Sequence, residues 1–457
     1  MTRVQTCALP IFRTLPLIAA ISMMFTGVAR GQSLAELYEV AKGYDASYKS
    51  VQIQAQATRL KVDQAQAKLG PTAALTANVG LNYGGFYSPT HIDATRGTPS
   101  SHFYSAQSGT LVSTQPLFRP GDKAEVSQAN LQLQVAEAQL RAAEQDLMVR
   151  LSQAYFDVLA SQDSLTFIQA QMKAVSEQLE FAKRNFEVGT ATITDTREAQ
   201  ASYDLTMAQE IAIQNDLRVK KMALDQLVGK NQIEPKPLSL TALPSPPAPN
   251  QVEDWVTLSE QNNPNIAQTR IGAEVARLEI DKAQAALGPS VDLQLTYNLT
   301  NNTNGTITST SDSRFGVATG AVVLSLPLFN GNALSNRVKE TMALRQKAET
   351  DIEALSRTVA QNTRSAFYGV VSGVSQVRAL QAAEESSQVA LDANKLGYSV
   401  GVRININVLD AQSKLFDTKA KLAKARYDVL LGHLKLKQVS GVLQADDLQQ
   451  ISQSLAP

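Results

Sequence analysis

The sequence contains a single cysteine, Cys7, and this residue lies in an N-terminal segment with the pattern of a secretion signal. Arg3 and Arg13 supply positive charge, an apolar stretch covers residues 15–28, and small residues follow it. We expect residues 1–31 to be a signal peptide, and a membrane anchor is the alternative. The mature chain then has no disulfide, no thiol nucleophile and no cysteine ligand for a metal.

An excess of one charge is also missing. The chain has 42 Lys and Arg residues against 42 Asp and Glu residues, so no basic field favours binding to nucleic acid. Aromatic residues are scarce, whereas Ala, Gln, Leu and Lys crowd most segments, which is typical of long helices. After the leader, no apolar run is long enough for a membrane helix.

Signatures of catalysis are missing as well. The three histidines, His91, His102 and His433, have no carboxylate or cysteine partner at ligand spacing, and surface positions are the simpler interpretation of all three. No glycine-rich phosphate loop and no nucleophile elbow occurs. The sequence therefore predicts no enzyme, no cofactor and no metal site.

Two very long helical patterns dominate what is present. A seven-residue apolar repeat without proline runs from about residue 121 to residue 188 and predicts a helix roughly 100 Å long. A second pattern covers residues 333–396. Each ends at a glycine, Gly189 or Gly401, and a further helix follows, so each long helix is predicted to form a hairpin.

A pair of strands precedes each long helix. Apolar and polar residues alternate over residues 75–83 and 291–299, and a helix over residues 33–69 precedes the first pair. Both pairs end in the same tripeptide, Pro116-Leu117-Phe118 and Pro327-Leu328-Phe329. The order of elements therefore occurs twice, which indicates an internal duplication: residues 32–230 and 252–457, joined by a proline-rich linker over residues 231–251.

Each half supplies about two strands, so one chain has about four. A closed membrane barrel needs roughly eight or more strands, and a bilayer does not tolerate open strand edges. Three copies of the chain would supply about twelve strands, which lies within the known range.

With these features, the sequence resembles the TolC family of outer-membrane efflux and secretion channels over nearly all of its mature length. The most specific match is the segment 397–412 with the helix that follows it; the strand entries and exits and the turn around Gly189 also match. The resemblance implies an α+β membrane protein. In it, a trimeric outer-membrane β-barrel with four strands per protomer continues into a long periplasmic α-helical coiled-coil barrel.

The resemblance also implies a function. The chain is expected to be a passive, gated exit duct of a tripartite efflux pump or a type I secretion system, in the outer membrane with a large periplasmic portion. Its implied partners are two further copies of itself, outer-membrane lipid, a periplasmic adaptor (membrane fusion) protein and an inner-membrane ABC or RND transporter. Alternatives are a periplasmic adaptor with coiled-coil hairpins, or a structural rod or adhesin. The repeated strands directly before long helices argue against both.

The resemblance assigns a bond network that holds the tunnel closed. Tyr398 and Arg403 belong to it, with Thr194 and Asp195 as their expected partners, because a phenol and a guanidinium can bond a carboxylate on a neighbouring turn. Arg184 stands where the family usually has a neutral polar residue, and it is expected either to add a bond to the gate or to be solvated. The alternative is that these are ordinary solvated turn residues.

Two further pairs of residues complete the expected site. Asn407 and Asp410 correspond to the two acidic positions at which TolC-like tunnels narrow, and here only Asp410 is charged. Gly189 and Gly401 lie at the exposed tips, where the hairpin of an adaptor protein is expected to dock. Capping of the preceding helix is the simpler role of both glycines.

Overall fold

A computed structural model describes residues 31–85, 101–237 and 245–453. The predicted signal peptide, except its last residue, lies outside these ranges, as do Cys7, His91 and residues 238–244 of the predicted linker. The described residues form long helices and one antiparallel sheet of four strands. Within these ranges, no helix combines the length and the apolar character needed to cross a membrane.

The first half of the chain begins with two short helices and two strands, followed by a long hairpin of helices. The long helix spans 68 residues. The elements are α1 (Leu34–Tyr44), α2 (Ala46–Ala67), β1 (Thr72–Gly84), β2 (His102–Phe118), α3 (Pro120–Glu187) and α4 (Ile193–Val228).

The second half has the same order of elements and then adds one short helix. Its long helix spans 67 residues, so the two hairpins match in length. The elements are α5 (Val252–Asn262), α6 (Pro264–Ala285), β3 (Ser290–Thr303), β4 (Ser313–Ser325), α7 (Ala333–Ser399), α8 (Asn405–Val439) and α9 (Ala445–Gln453).

The prediction of one helix over residues 33–69 was wrong, because the chain bends at Asp45 between α1 and α2. The Asp45 backbone is not helical, with ψ of 117°, and its carboxylate accepts the Tyr48 N–H at 2.7 Å, so it caps a new helix. The same carboxylate receives both terminal nitrogens of Arg150 from α3 at 3.1 Å each. In the second half, Asn263 caps α6 in the same way.

The strands run in the order β1-β2-β3-β4, and every neighbouring pair is antiparallel. The register places Leu75 opposite Leu111, and Leu111 opposite Tyr297, so these apolar side chains share one face. The other face is polar, where the Asn298 amide donates to the Thr110 hydroxyl at 2.8 Å. Among the described strands, the outer edges of β1 and β4 have no partner.

The largest apolar core lies where the short helices pack against the long ones. It joins α1, α3, α4, α8 and α9 around fully buried side chains such as Leu34, Leu147, Tyr155, Leu224 and Leu448. This core packs both helical hairpins, α3–α4 and α7–α8, against the short helices α1 and α9 through α3, α4 and α8.

Two glycines dock the ends of α4 and α8 against the short helices. Gly229 and Gly441 both have left-handed backbones, with φ of 74° and 73°. A Cβ atom at Gly229 would lie 2.4 Å from the Tyr44 ring, and one at Gly441 would lie 2.2 Å from the Asn262 carbonyl oxygen. Both positions therefore require glycine for two reasons, backbone conformation and space.

We predict that Gly441→Ala destabilises the helical region far more than Gly331→Ala. Gly331 also has a positive φ, 60°, but a Cβ atom added there would meet nothing within 4 Å. Its substitution carries only the left-handed penalty of about 1–2 kcal/mol, whereas Gly441→Ala adds about 1–3 kcal/mol of overpacking. Thermal unfolding followed by circular dichroism measures both. Equal shifts in Tm would contradict this account of the α8 end.

Candidate functional site

The two turns at the far ends of the hairpins have the same backbone geometry. Gly189 and Gly401 have φ of 77° and 79°, and the residue after each glycine donates its N–H to a carbonyl of the preceding helical turn at 2.8 Å. A Cβ atom at either glycine would meet nothing within 4 Å. Both tips therefore project freely from the described protomer.

The helices that leave these turns begin differently. Thr192 caps α4, and the Asp195 carboxylate accepts the Thr192 N–H at 2.9 Å and the Thr192 hydroxyl at 2.7 Å, both on one oxygen. In the second turn the cap residue is Ile404, which has no side-chain acceptor. Asn407 takes the place of Asp195, and its amide oxygen accepts the Ile404 N–H at 3.4 Å.

Tyr398 joins the end of α7 to the end of α3. Its hydroxyl is hydrogen-bonded to the Asn185 side chain, and its ring meets the Phe181 ring edge-on at 5.9 Å. Burial raises the pKa of Tyr398, the Asn185 bond acts in the opposite direction, and the negative charge of Asp195 raises the pKa further. The Asp195 carboxylate therefore acts on Tyr398 through its charge, while its own hydrogen bonds go to the α4 cap.

The structure does not bring the remaining predicted gate residues together within one protomer. The Arg403 side chain lies over Gly397, where a Cβ atom would be 2.7 Å from the Arg403 Cγ. Among the described residues, the exposed Arg403 guanidinium makes no hydrogen bond or ion pair, and Thr194 is exposed. Arg184 is also exposed and bonds the Glu180 carbonyl of its own helix at 3.3 Å.

Sequence reasoning missed a buried amide bridge beside these residues. Asn405, the first residue of α8, is fully buried. Gln178 of α3 donates to the Asn405 side-chain oxygen at 2.6 Å, and the Asn405 amide donates to the Asp195 carbonyl at 3.1 Å. The sequence contained one signal for this bridge: the two turns align, and a polar residue, Asn405, stands where the first turn has the apolar Ile193.

Asn407 and Asp410 lie on one side of the first turns of α8. Positions three apart on a helix are neighbours on its surface, so the two side chains stack along the helix axis. Asn407 is half-buried and Asp410 is exposed. Asp410 is therefore free to present its charge to whatever space lies beside α8.

The described residues hold no group of three or more His, Cys, Asp or Glu side chains suited to a metal ion. The surface interpretation of His433 was wrong, because this residue is half-buried and its Nε2 lies 2.9 Å from the Ser245 carbonyl oxygen. Burial lowers the pKa of His433. The histidine therefore helps to fasten the linker to α8.

Two paired helical hairpins below a four-stranded sheet with one apolar face define a class of outer-membrane channel protomers. The chain belongs to the family described as outer membrane efflux protein, whose model matches residues 37–230 and 255–442. The outer membrane protein TolC of Vibrio cholerae is 29% identical over 444 residues, which cover 97% of this chain and 98% of that protein.

Two more comparisons agree with this assignment. The proteases secretion protein PrtF of Dickeya chrysanthemi is 27% identical over 442 residues, covering 95% of this chain and 94% of that protein. The crystal structure of the outer membrane protein VceC from Vibrio cholerae has the same fold, with a TM-score of 0.73 at 20% identity, and covers 89% of this chain and 96% of that one.

These relatives confirm the resemblance and the function that it implied. The chain is an outer-membrane exit channel for efflux or type I secretion, and the family is a non-enzymatic transport conduit. The helical portion is the large periplasmic part of such channels. The interpretations as an adaptor or as a structural rod are thereby set aside.

Proposed function

We propose that three copies of this chain form one gated channel. Their sheets close into a single outer-membrane β-barrel of about twelve strands, and their long helices form a periplasmic α-helical barrel. The observation that carries the proposal is a sheet with one apolar, exposed face and two outer strands, β1 and β4, whose outer edges have no partner among the described residues. Unpaired strand edges cannot face lipid, so other copies must cover them.

The exposed face of the sheet fits contact with lipid. Leu81 is 86% exposed, Leu75 is 75% exposed and Tyr297 is 50% exposed, although all three are apolar or aromatic. A contiguous apolar surface of this kind is unfavourable in water and favourable in a bilayer. On β1 and β3 the opposite face carries Thr, Asn and Ser side chains and suits a water-filled interior.

The duplication predicts how neighbouring sheets pair. The two Pro-Leu-Phe tripeptides align β2 with β4. The two Gly-Pro dipeptides that precede the strand pairs, Gly70-Pro71 and Gly288-Pro289, align β1 with β3. The observed pair Leu111–Tyr297 between β2 and β3 then corresponds to Val322 of one copy opposite Val79 of the next. Both valines are exposed and lie on the apolar face, so this register continues that face between copies.

The helices also leave apolar stripes for a neighbour. Within the protomer α3 packs on α4 and α8, and α7 packs on α8, so α4 and α7 lie at opposite sides. On α4, Leu205 and Val219 are 62% and 52% exposed, and on α7, Val389 and Leu396 are 64% and 66% exposed. Each pair repeats at heptad spacing, which fits packing of α4 against α7 of the next copy.

The turns form the closed end of the tunnel in this proposal. Tyr398 bonds α3 within its own protomer, whereas Arg403 is exposed and lacks a partner among the described residues. One oxygen of the Asp195 carboxylate also accepts none of the described hydrogen bonds. Arg403 therefore pairs with Thr194 and Asp195 of a neighbouring copy, and Arg184 stays at the solvated rim.

The same tips are the proposed docking points for a periplasmic adaptor protein. A Cβ atom added at Gly189 or Gly401 would meet nothing within 4 Å, so a helical hairpin can approach them end to end. An inner-membrane ABC or RND transporter would deliver cargo through that adaptor. The role of PrtF in protease secretion supports this arrangement by similarity.

Cysteine cross-linking tests the trimer. Val79→Cys combined with Val322→Cys should form covalent dimers and trimers under mild oxidation, because directly opposed strand residues lie within disulfide range. Cys7 lies in the predicted leader, so the mature chain offers no competing thiol. Val79→Cys with Val323→Cys is the control, since Val323 points to the other face. Equal cross-linking of both pairs would refute the proposed register.

Bilayer conductance tests the gate. Tyr398→Phe together with Arg403→Ser removes the donors that hold the turns, and the closed state should lose about 1–3 kcal/mol per bond left unmade. Conductance of the purified protein in planar bilayers should rise. Tyr368→Phe with Arg378→Ser changes the same residue types on α7 away from the turn and should leave conductance as it was. If the Tyr398/Arg403 variant has the conductance of the wild type, these two residues do not hold the gate closed.

Reversal potentials in a salt gradient test the constriction. In a trimer, Asn407 and Asp410 form two stacked rings, of which only the Asp410 ring is charged, and a narrow site focuses that charge. Asn407→Asp should raise cation preference and strengthen block by multivalent cations, and Asp410→Asn should abolish both. The start of α8 tolerates the first substitution, because a carboxylate also accepts the Ile404 N–H.

Glu198→Gln is the matched control for the constriction. Glu198 lies near the start of α4 as Asp410 does near the start of α8, and its substitution removes the same charge. If this control shifts selectivity as much as Asp410→Asn does, the summed field of the tunnel sets selectivity and the constriction does not.

A further inference from the structure

We infer that Asn405 is a positioning residue that holds the start of α8 against the first helical hairpin and so keeps the channel closed. The inference rests on the gated channel proposed above. It concerns a tie within one protomer, made by two side chains that the predicted gate does not include, Gln178 and Asn405, and by the backbone of a gate residue, Asp195. The tie consists of Gln178 on α3, Asn405 on α8 and the backbone of Asp195 on α4.

The geometry of the tie is a chain of two hydrogen bonds through one side chain. Asn405 accepts from Gln178 at 2.6 Å and donates to the Asp195 carbonyl at 3.1 Å. Both polar ends of its amide are thereby used, although the residue is fully buried. A single side chain therefore links the beginning of α8 to both helices of the first hairpin.

Comparison of the two turns shows that the tie is specific to the second one. The turns share their glycine geometry and their hydrogen bonds, but the first residue of α4 is Ile193, which is 49% exposed. An isoleucine has no polar side-chain atom, so α4 makes no such bridge. The duplicated halves therefore differ where one hairpin has to hold the other.

The surroundings make the tie a two-state element. An apolar cluster that includes Val175, Leu179, Ala199 and Leu409 lies at this end of the hairpins. A buried amide without partners is unfavourable in such surroundings, so the bridge stays formed while α8 is packed. If α8 moves away from α3 and α4, water reaches Gln178, Asn405 and the Asp195 carbonyl, and the amides hydrate instead.

The position of the tie relates it to opening. Asp195 contributes its backbone carbonyl to Asn405, and its carboxylate caps α4 through Thr192. Outward movement of the second hairpin has to break the Asn405 bridge before the turns can separate. Asn405 therefore acts alongside Tyr398, which ties the same two hairpins together through Asn185 nearer the tip of α3.

Single-channel recording of the full-length protein in planar bilayers tests the inference. Asn405→Ile, which introduces the residue type found at Ile193, should raise the open fraction roughly tenfold, because two net bonds of the closed state are lost. Gln178→Leu removes one of them and should raise it by a smaller factor. Gln200→Leu is the control: Gln200 bonds only Asp204 of its own helix, at 2.9 Å, and its loss should change nothing.

Two further measurements separate a latch from a general structural role. Gln178→Leu combined with Asn405→Ile should open the channel no more than Asn405→Ile alone, because both substitutions break one tie. Independent, multiplicative effects would overturn the inference. A loss of thermal stability without a rise in open fraction would overturn it as well.

Asn405→Asp keeps the test valid if the isoleucine variant does not assemble. The carboxylate keeps the size of asparagine and accepts from Gln178, but it has no N–H for the Asp195 carbonyl, so the open fraction should still rise. If the Tyr398/Arg403 variant opens and every Asn405 variant stays closed, the latch is wrong and the gate stands. If none of these variants opens, the proposed gate itself is wrong.

Discussion

Unpaired backbone at the two edges of the sheet is the constraint on which the rest of this structure depends. β1 and β4 each leave one row of N–H and C=O groups without a partner among the described strands, on a sheet whose one face is strongly apolar. A bilayer offers no hydrogen bonds to such edges, so the sheet is incomplete by itself. The proposed closure by neighbouring copies also aligns the helices, because each long helix follows directly from a strand pair. The length of the tunnel and the meeting of the turns at its end then follow from the length of α3 and α7.

The two duplicated halves share one architecture, and they differ at residues of the proposed gate. The two halves share the order of their elements, the capping residues Asp45 and Asn263, and the docked glycines Gly229 and Gly441. They differ at the turns: Thr192, whose side chain caps α4, corresponds to Ile404, which has no side-chain acceptor, and the exposed Ile193 corresponds to the buried Asn405. In the proposed channel the hairpins therefore have unequal roles: the first is the support, and the second is the part that is held and released.

Most of the fold could be predicted from the sequence, because its signals are local. Alternation of apolar residues marked β1 and β3, an unbroken heptad pattern marked α3, and glycines marked the turns. The break at Asp45 was missed, because in the sequence this residue looks like an ordinary polar position of a helix. Its partner Arg150 lies on α3, far away in the chain. The half-buried place of His433 was missed for the same reason, since its partner Ser245 lies far away in the chain.

The candidate site also has features that local sequence signals predict and features that depend on contacts between distant residues. The sequence by itself determined the family, the two turn glycines, and the identities at Tyr398, Arg403, Asn407 and Asp410, because motif spacing within one segment carries that information. Only the tertiary structure decided which side chains meet. It bonded Tyr398 to Asn185, left Arg403 unpaired within the described protomer, and buried Asn405 between Gln178 and the Asp195 carbonyl. The physical reason is that a hydrogen bond between two helices depends on how those helices pack, and residues far apart in sequence set that packing.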